Sequence, residues 1–286
     1  MWGLFPLYWP LLKPAGAVEI LAHRIVWSLV ATAVLIVVLK RRSRLAVVLA
    51  TPRTRAILAI AAVVIAVNWG TYIWGVNNDH VVEASLGYFI NPLVTVMMGV
   101  LVLGERLRRL QWVAMGLATV AVVGITIEYG RPPWVALVLA FSFGTYGLAK
   151  KKANAGAVES LTVETLVLTP VALGYLLWLM GQGTSTFGHA GMAHVALIVG
   201  TGVVTAIPLI CFGAAATRVS MTTLGLLQYL APTIQFALGV FLFHEPMPAM
   251  RWVGFALVWV ALAIFTFETV NHRRRQLRLA TEASAI

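Results

Sequence analysis

Three ionisable residues lie within one apolar run of this sequence, VEILAHRIVWS at residues 18–28. Glu19 and His23 are four residues apart, so in a helix they would share a face and could interact directly. Arg24 follows immediately. A charged side chain in an apolar segment costs about 2.5–3.5 kcal/mol on membrane-insertion scales, so it usually faces a partner or a water-filled cavity. We therefore expect Arg24 to bind an anionic or polar group of a substrate. Alternatively, it reaches the membrane surface and only orients its helix.

Glu164 occupies the place that corresponds to Arg24 in a later part of the chain. The segment AGAVEIL at 15–21 recurs as AGAVESL at 155–161, and the same offset of 140 residues carries Arg24 onto Glu164. Opposite charges at corresponding positions indicate a coupled pair, although a direct ion pair would require tilted or bent helices. The pattern predicts that Glu164 or Glu19 exchanges a proton or balances charge while Arg24 binds the substrate.

Amide and aromatic residues are concentrated in two further apolar segments, NWGTYIW at 68–74 and GYFINP at 87–92. Aromatic walls with a few amide groups are typical of a pocket for a small, partly apolar molecule. The aromatic residues could equally face lipid, and the amides could form ordinary hydrogen bonds between helices. Besides the charged residues above, the predicted substrate path contains Asn68, Trp69, Tyr72, Asn91, Gln228 and Gln235.

Prolines and glutamates also recur at the offset of 140 residues. Pro92 and Pro232 correspond, and together with Pro208 they are candidate hinges of a gate, because a proline inside a helix frees a carbonyl and favours a kink. Structural bending alone is the alternative. Glu105 and Glu245 each stand just ahead of a predicted helix, where we expect a structural role at the positive end of its dipole.

The composition shows which elements must position these residues. Of 286 residues, 60% are hydrophobic and only 11% are charged, and the mean hydropathy is +0.89, far from the usual make-up of soluble domains. Uncharged stretches of about 20 residues recur, which is the length that a helix needs to cross a bilayer. The sequence therefore predicts an all-α polytopic membrane protein with ten transmembrane helices. The predicted spans are 1–12, 17–39, 56–76, 84–103, 111–127, 134–149, 157–180, 194–216, 222–243 and 251–267.

The repeated motifs predict two related halves. Each half contains five spans, and because five is an odd number, the second half must enter the membrane from the opposite side. We therefore predict two inverted five-helix repeats, residues 1–130 and 131–270, followed by a basic cytoplasmic tail at 271–286. Such repeats suit alternating access, because a site at their interface can face either side.

The first span is shorter than the others. Aligning the halves places WG at 2–3 on FG at 143–144, and in the second half a further stretch from Trp134 precedes this pair. We therefore expect the first helix to be incomplete at its N-terminus, with translation starting upstream of Met1.

The basic residues predict the orientation of the chain. Most of the 21 Lys and Arg residues lie in alternate connections, above all the basic connection 40–55, and in the tail. By the positive-inside rule these segments face the cytoplasm. We therefore expect a multi-pass protein of the cell inner (cytoplasmic) membrane with both termini in the cytoplasm.

Several motifs of this chain are long enough to be specific. Together they closely resemble the RarD family, which belongs to the drug/metabolite transporter superfamily and carries EamA-type repeats. The resemblance covers essentially the whole chain, and it implies ten helices in two inverted halves and a role as a permease. The start of the chain departs from the family's complete first helix. The motifs are VEILAHRIVWS (18–28), NWGTYIWGVNN (68–78), EASLGYFINPLV (83–94), LGER (103–106), AATR (215–218) and TLGLLQYLAPT (223–233).

These features predict a secondary transporter of small organic metabolites or drugs that works by alternating access. We expect an exporter, with the proton as a candidate coupling ion. The alternatives are a membrane-embedded enzyme and a non-transporting membrane regulator. No GxSxG or HExxH motif supports an enzyme, and no GxxxxGK[ST] motif points to ATP, so no cofactor is expected.

The expected partners are the lipid bilayer and a small-molecule substrate. The net charge of +11 could indicate nucleic acid, but the basic residues stand between apolar runs, so we do not expect it. Six scattered histidines lack the spacing of metal ligands, and the single cysteine, Cys211, excludes an intrachain disulfide. A homodimer is a further hypothesis, taken from the wider superfamily rather than from any residue of this chain.

Overall fold

The computed structural model describes residues 1–78, 81–129, 133–242, 252–253, 256–257, 259–268, 271 and 274. Every regular element in these ranges is a helix. The chain starts with a short helix, α1 (Phe5–Tyr8), between two 3-10 turns, Trp2–Leu4 and Trp9–Leu12. The remaining helices are α2 (Ala17–Val38), α3 (Arg42–Ala50), α4 (Pro52–Asn77), α5 (Val81–Leu103), α6 (Arg109–Tyr129), α7 (Trp134–Ala153), α8 (Ala157–Gly181), α9 (Met192–Arg218), α10 (Met221–Gln228), α11 (Leu230–Phe241) and α12 (Trp259–Glu268).

Five of the described helices are long and apolar enough to cross a membrane, with mean hydropathies from 1.7 to 2.4. Helices suit this environment because their backbone N–H and C=O groups are satisfied internally where no water is available. The protein is therefore an all-α, multi-pass membrane protein. The five segments are Ala17–Val38, Pro52–Gly75, Leu86–Leu103, Ala157–Gly181 and Met192–Arg218.

The predicted spans coincide with helices over most of the chain. The second to eighth spans correspond to α2 and to α4 through α9, with ends that differ by a few residues. The ninth is divided into α10 and α11. The tenth, 251–267, lies partly outside the described residues, which include α12.

The basic connection 40–55 contains a helix that the sequence analysis did not predict. In α3, Leu45, Val48 and Leu49 pack against a small buried cluster formed by Leu58, Ala153 and Val163. Each turn of α3 thus places an apolar residue on the neighbouring helices α4 and α8, while its arginines stay exposed. The arginines around this apolar period are typical of a connection and conceal the helix in the sequence.

The long helices form two bundles joined by a central pair. In the first bundle, α7 packs along both α4 and α5. In the second bundle, Trp2–Leu4 packs against α11, and Trp9–Leu12 packs against α9. Between the bundles, α2 packs along α8, and it also contacts α9, whereas α8 contacts α4. The start of the chain therefore packs with helices from its last third, whereas α7 packs with helices from its first third.

The ninth predicted span breaks at Tyr229, which separates α10 from α11. Pro232 cannot donate a backbone hydrogen bond to the carbonyl of Gln228, so the helix loses a bond at this point. The two pieces have different neighbours, since α10 packs on α5 and α11 packs on Trp2–Leu4. The bundles therefore contact each other where α10 packs on α5, whereas α11 packs within the second bundle.

Candidate functional site

A cavity of about 270 Å³ lies between the two bundles. Its walls come from α4, α5 and α7 on one side and from residues 2–9, α9, α10 and α11 on the other, with Arg24 of α2 between them. The residues predicted for the substrate path or for hinges that line this cavity are Arg24, Asn68, Trp69, Tyr72, Asn91, Gln228, Pro232 and Gln235.

Arg24 is the charged residue of the cavity wall. Its Nε donates a hydrogen bond of 3.0 Å to Oγ1 of Thr205 on α9. Its Cζ lies 4.7 Å from the ring centroid of Trp9 and 5.0 Å from that of Trp69, so the guanidinium makes cation–π contacts with both indoles. Among the residues that the structure describes, none forms an ion pair with Arg24 or accepts from its Nη groups. Since a guanidinium has five N–H donors, most of them remain available at the cavity.

The amide side chains of the wall are engaged to different degrees. Asn68 Nδ2 donates to the carbonyl of Leu139 and to Oγ of Ser142, both at 2.9 Å, and so joins α4 to α7. Asn91 Nδ2 donates to Oε1 of Gln228 at 2.5 Å, which joins α5 to α10 across the bundles. These bonds fix the positions of the amides relative to Arg24.

Aromatic rings form most of the remaining wall and close one end of the cavity. Tyr72 and Tyr88 meet edge to face, with ring centroids 6.2 Å apart. Phe143 lines the cavity and contacts the rings of Trp2 and Phe212 at 5.4 and 5.1 Å. Behind it Tyr146, which is completely buried, stacks on Phe212. The rings of this cluster separate the cavity from the end of the molecule where α9 meets α10.

Glu19 does not line the cavity. Its carboxylate accepts hydrogen bonds from the loop between α8 and α9: Oε1 from the backbone N–H of Thr186 at 2.8 Å and from Oγ of Ser185 at 3.1 Å. Its Oε2 accepts from Oγ1 of Thr186. The predicted contact with His23 is replaced by these bonds, because the loop supplies three donors. Glu159, the counterpart of Glu19 in the second half, similarly accepts from Arg41, which follows α2.

His23 also lies outside the cavity lining. Its ring contacts that of Phe187 in the same loop, with centroids 4.8 Å apart, and its Nε2 is buried without a hydrogen-bond partner among the described residues.

Glu164 is paired with a residue that the sequence analysis missed. Lys150 Nζ lies 2.5 Å from Oε1 of Glu164 and donates to Oγ of Ser160 at 2.7 Å. Tyr146 donates to Oε2 of Glu164 at 2.9 Å. The predicted coupling of Glu164 to Arg24 is therefore not a direct contact. The sequence shows only that Tyr146 and Lys150, four residues apart, share a helix face; it does not show that this face meets Glu164.

The three predicted hinge prolines occupy different settings. Pro92 lies inside α5 and Pro208 inside α9, both buried and outside the cavity lining, whereas Pro232 lines the cavity. Gly225 of α10 lies against Pro92, since a Cβ at Gly225 would come within 2.7 Å of the Pro92 carbonyl oxygen. Pro92 therefore marks the close approach of α5 and α10.

Glu105 binds a different helix from the one predicted. Rather than meeting the start of α6, it accepts hydrogen bonds from the first residues of α10: Met221 N–H at 2.7 Å, Thr222 N–H at 2.9 Å and Thr222 Oγ1 at 2.8 Å. Lys151 Nζ donates to the carbonyl of Val219 beside it. At α10 the Glu105 carboxylate accepts from two N–H groups of the first turn, which have no partner within the helix. Glu245 lies outside the described residues.

The sequence model of the EamA-like transporter family matches this chain twice, over residues 1–127 and 132–267. The chain belongs to the EamA-like transporter family. Within this family, protein RarD of Streptomyces exfoliatus is 61% identical over 285 residues, which cover 100% of this chain and 90% of that protein. Protein RarD of Escherichia coli K12 is 44% identical over 275 residues, covering 96% and 93% of the two chains. The predicted membership of the RarD family is thus confirmed.

Two further comparisons concern a sequence relative and the fold. An uncharacterized transporter of Bacillus subtilis, YojE, is 43% identical over 277 residues, which cover 96% of this chain and 92% of that protein. A solved crystal structure superimposes with a TM-score of 0.71 over 93% of this chain and 92% of the other, at 17% identity. At this identity the match shows the fold alone.

Proposed function

We propose that this protein is a secondary transporter that exports small organic metabolites or drugs carrying an anionic group. The observation behind the proposal is the setting of Arg24. Two tryptophans and Thr205 hold its guanidinium at the cavity wall, and no described carboxylate pairs with it. A buried charge without a counter-ion is costly, so an anionic group of a substrate would supply the missing partner. A guanidinium suits this task because it binds carboxylate or phosphate through two parallel hydrogen bonds.

The cavity supports the size and character of the solute. A volume of about 270 Å³ suits a small molecule and excludes a peptide of several residues. Its indole, phenol and phenyl walls favour a partly apolar body next to the anionic group. We therefore propose small, amphiphilic anions or zwitterions as the substrate class.

Alternating access between two inverted repeats is the proposed mechanism. The family model matches the chain twice, and helices related by the offset of 140 residues have matching neighbours. The contact of α5 with α7 corresponds to that of α11 with Trp2–Leu4, and the contact of α4 with α8 corresponds to that of α9 with α2. Such correspondence supports the proposed ten-helix architecture and the repeat boundaries 1–130 and 131–270. A cavity between the two bundles could then open to either side as they rock.

The proposed orientation would put the cavity nearer the outer side of the membrane. If both termini lie in the cytoplasm of a cell whose inner membrane holds the protein, the arginines of α3 and the three lysines that end α7 face inward. The cavity then lies toward the outer ends of α2, α5, α7 and α9. The Glu105 contact with α10 closes the cytoplasmic side. Release of a solute to the outside is consistent with export.

Glu164 supports a proposed coupling to the proton gradient. Its carboxylate and the Lys150 amine are buried between α7 and α8, and an ionisable group inside a membrane bundle typically serves transport. Opening of the cytoplasmic side would hydrate this pair and allow Glu164 to exchange a proton. The other titratable candidates, Glu19 and His23, lie near the start of α2 and remain candidates for the outer side.

Transport into inside-out membrane vesicles would test the function. A labelled amphenicol and a pool of labelled amino acids are supplied with and without an imposed proton gradient, for the natural chain and for Arg24→Gln. We expect gradient-dependent accumulation of a carboxylate-bearing solute and a loss of roughly tenfold or more in Arg24→Gln, because a charged hydrogen-bond donor is removed. Arg44→Gln, which changes an exposed arginine of α3, is the matched control.

Each contrary result points to a specific error. Equal accumulation by Arg24→Gln and the natural chain would contradict recognition of an anionic group. Accumulation without any effect of the gradient would contradict proton coupling but leave the transporter. A solute that emerges chemically changed would favour the alternative, a membrane-embedded enzyme.

A further inference from the structure

We propose that Gln228 determines specificity in this cavity by donating a hydrogen bond from its Nε2 to a neutral acceptor of the substrate. The inference rests on the proposed function, in which Arg24 binds the anionic group. The site would then select solutes that carry an uncharged oxygen acceptor, such as a ketone or an amide carbonyl, in addition to the anion. Gln228 lines the cavity, and its Nε2 is buried without a hydrogen-bond partner among the described residues.

The orientation of the Gln228 amide follows from its neighbours. Asn91 Nδ2 donates to Gln228 Oε1 at 2.5 Å, so the oxygen of the amide is already occupied. Asn91 is itself oriented, because its Oδ1 accepts from Oγ1 of Thr95 one turn further along α5. The chain of donors runs from Thr95 through Asn91 to Gln228. In this arrangement the group left free at its end is a donor, the Nε2 of Gln228.

The nitrogens of Asn68 and Gln235, two other amides of the cavity, already donate hydrogen bonds within the protein. Asn68 Nδ2 donates to both Leu139 and Ser142 on α7. Gln235 Nε2 donates to the carbonyl of Trp2 at 3.3 Å. The Gln228 nitrogen, by contrast, donates to no group in the part of the chain that the structure describes.

A buried donor left without a partner lowers the stability of the empty site, and a ligand that supplies an acceptor recovers this loss. A site built in this way discriminates against an analogue that lacks the acceptor, because the donor then stays without a partner in the complex. Arg24 and Gln228 belong to α2 and α10, so a solute that binds both would connect the central pair of helices to the second bundle. The two contacts together would define the length of the solute as well as its charge.

Equilibrium binding to the full-length protein in lipid nanodiscs tests the proposal with two matched probes. These are 4-phenylbutyrate, which has only the carboxylate, and 4-oxo-4-phenylbutyrate, which adds one ketone oxygen and no donor. We expect the natural protein to bind the keto acid roughly three- to tenfold more tightly, the usual effect of one hydrogen bond. The ratio of the two affinities is the measured quantity, since both probes carry the same charge.

Two variants remove the donor in different ways. Gln228→Glu keeps an oxygen that accepts from Asn91 and replaces the free donor by an acceptor, so the preference for the keto acid should disappear or reverse. Gln228→Met removes the donor without adding charge and should give a ratio near one. Gln182→Glu is the matched control, because Gln182 is exposed at the end of α8 and lies outside the cavity lining. It should leave the ratio of the two affinities as in the natural protein.

The outcomes separate the inference from the function on which it rests. Equal binding of the two probes by the natural protein, as expected if a water molecule occupies the Gln228 donor, would overturn the specificity role. A preference for the keto acid that persists in both Gln228 variants would do the same. In either case, binding that requires Arg24 would leave the proposed function standing. If neither probe binds, or if Arg24→Gln binds both as the natural protein does, recognition of the anion fails and the inference fails with it.

Discussion

The ammonium group of Lys150 lies 2.5 Å from the carboxylate of Glu164, and both side chains are almost completely buried. Ser160 accepts a second hydrogen bond from the lysine, and Tyr146 donates to the other carboxylate oxygen. Each charge is therefore compensated by its partner and by a neutral group. Such a network tolerates burial only while both charges are present, because the loss of one leaves the other without compensation.

Removal of a single partner of this pair should therefore destabilise the protein more than removal of both. We expect Lys150→Met to lower the free energy of unfolding by about 3–5 kcal/mol, and the double variant with Glu164→Gln to recover much of that loss. Equilibrium unfolding in mixed micelles measures both effects. Additive losses in the double variant would contradict the compensation of these two charges.

The contact between Glu105 and α10 predicts a change in conformation rather than in stability alone. Glu105 follows α5 of the first bundle, and Met221 and Thr222 begin α10 of the second, so the hydrogen bonds join the bundles. Loss of the carboxylate leaves the first N–H groups of α10 without an acceptor. We expect Glu105→Ala to favour a state in which the bundles separate at this end.

Cysteine accessibility measures this separation. Met221 is fully buried, and the chain has one natural cysteine, so Met221→Cys in a Cys211→Ser background provides a single reporter. Its reaction with a membrane-impermeant maleimide in inside-out vesicles should increase at least severalfold when Glu105→Ala is added. Glu268→Ala removes another carboxylate that is paired with an arginine, Arg108, and serves as the control. Equal labelling in all three proteins would contradict a closing role for Glu105.

Hydropathy predicted the helices well because the length and apolarity of a span are local properties of the sequence. The partner of Glu164 was not predictable in the same way. Lys150 begins a run of three lysines, which the distribution of charges assigned to a connection, but α7 continues to Ala153 and carries Lys150 into the protein interior. Whether a lysine ends a helix or lies within it depends on the tertiary contacts around it.

The lining of the cavity shows the same limit of prediction from sequence. Arg24, Trp69 and Asn91 were selected as polar or aromatic residues within apolar runs, and all three lie at the cavity. Glu19 met the same criterion, but it binds a loop that is distant in the sequence, since Thr186 lies 167 residues from Glu19. Residue type predicts that a buried polar group needs a partner. It does not predict which partner the fold brings to it.

The bonds of Glu19 predict the protection of the loop between α8 and α9. The backbone N–H of Thr186 donates to Glu19, and Phe187 packs next to His23, so this part of the loop is held against α2. We expect Glu19→Ala to increase hydrogen exchange at the Thr186 amide at least tenfold, because a charge-assisted hydrogen bond is lost. Glu159→Ala, at the corresponding position of the second half, removes the contact with Arg41 instead and should leave Thr186 protected. Unchanged exchange in Glu19→Ala would contradict this anchoring.

The setting of Arg24 predicts that its shape matters as well as its charge. A lysine would keep the positive charge, but its compact ammonium cannot donate to Thr205 and present a planar pair of donors between two indoles at the same time. We expect Arg24→Lys to raise the KM for transport of a carboxylate solute roughly tenfold, and Trp69→Leu to raise it roughly two- to tenfold through the lost cation–π contact. Trp178→Leu, which changes an exposed tryptophan of α8, is the control. A KM that is unchanged in Arg24→Lys but raised in Arg24→Gln would mean that charge alone attracts the solute, and the tryptophans would then act only as walls of the cavity.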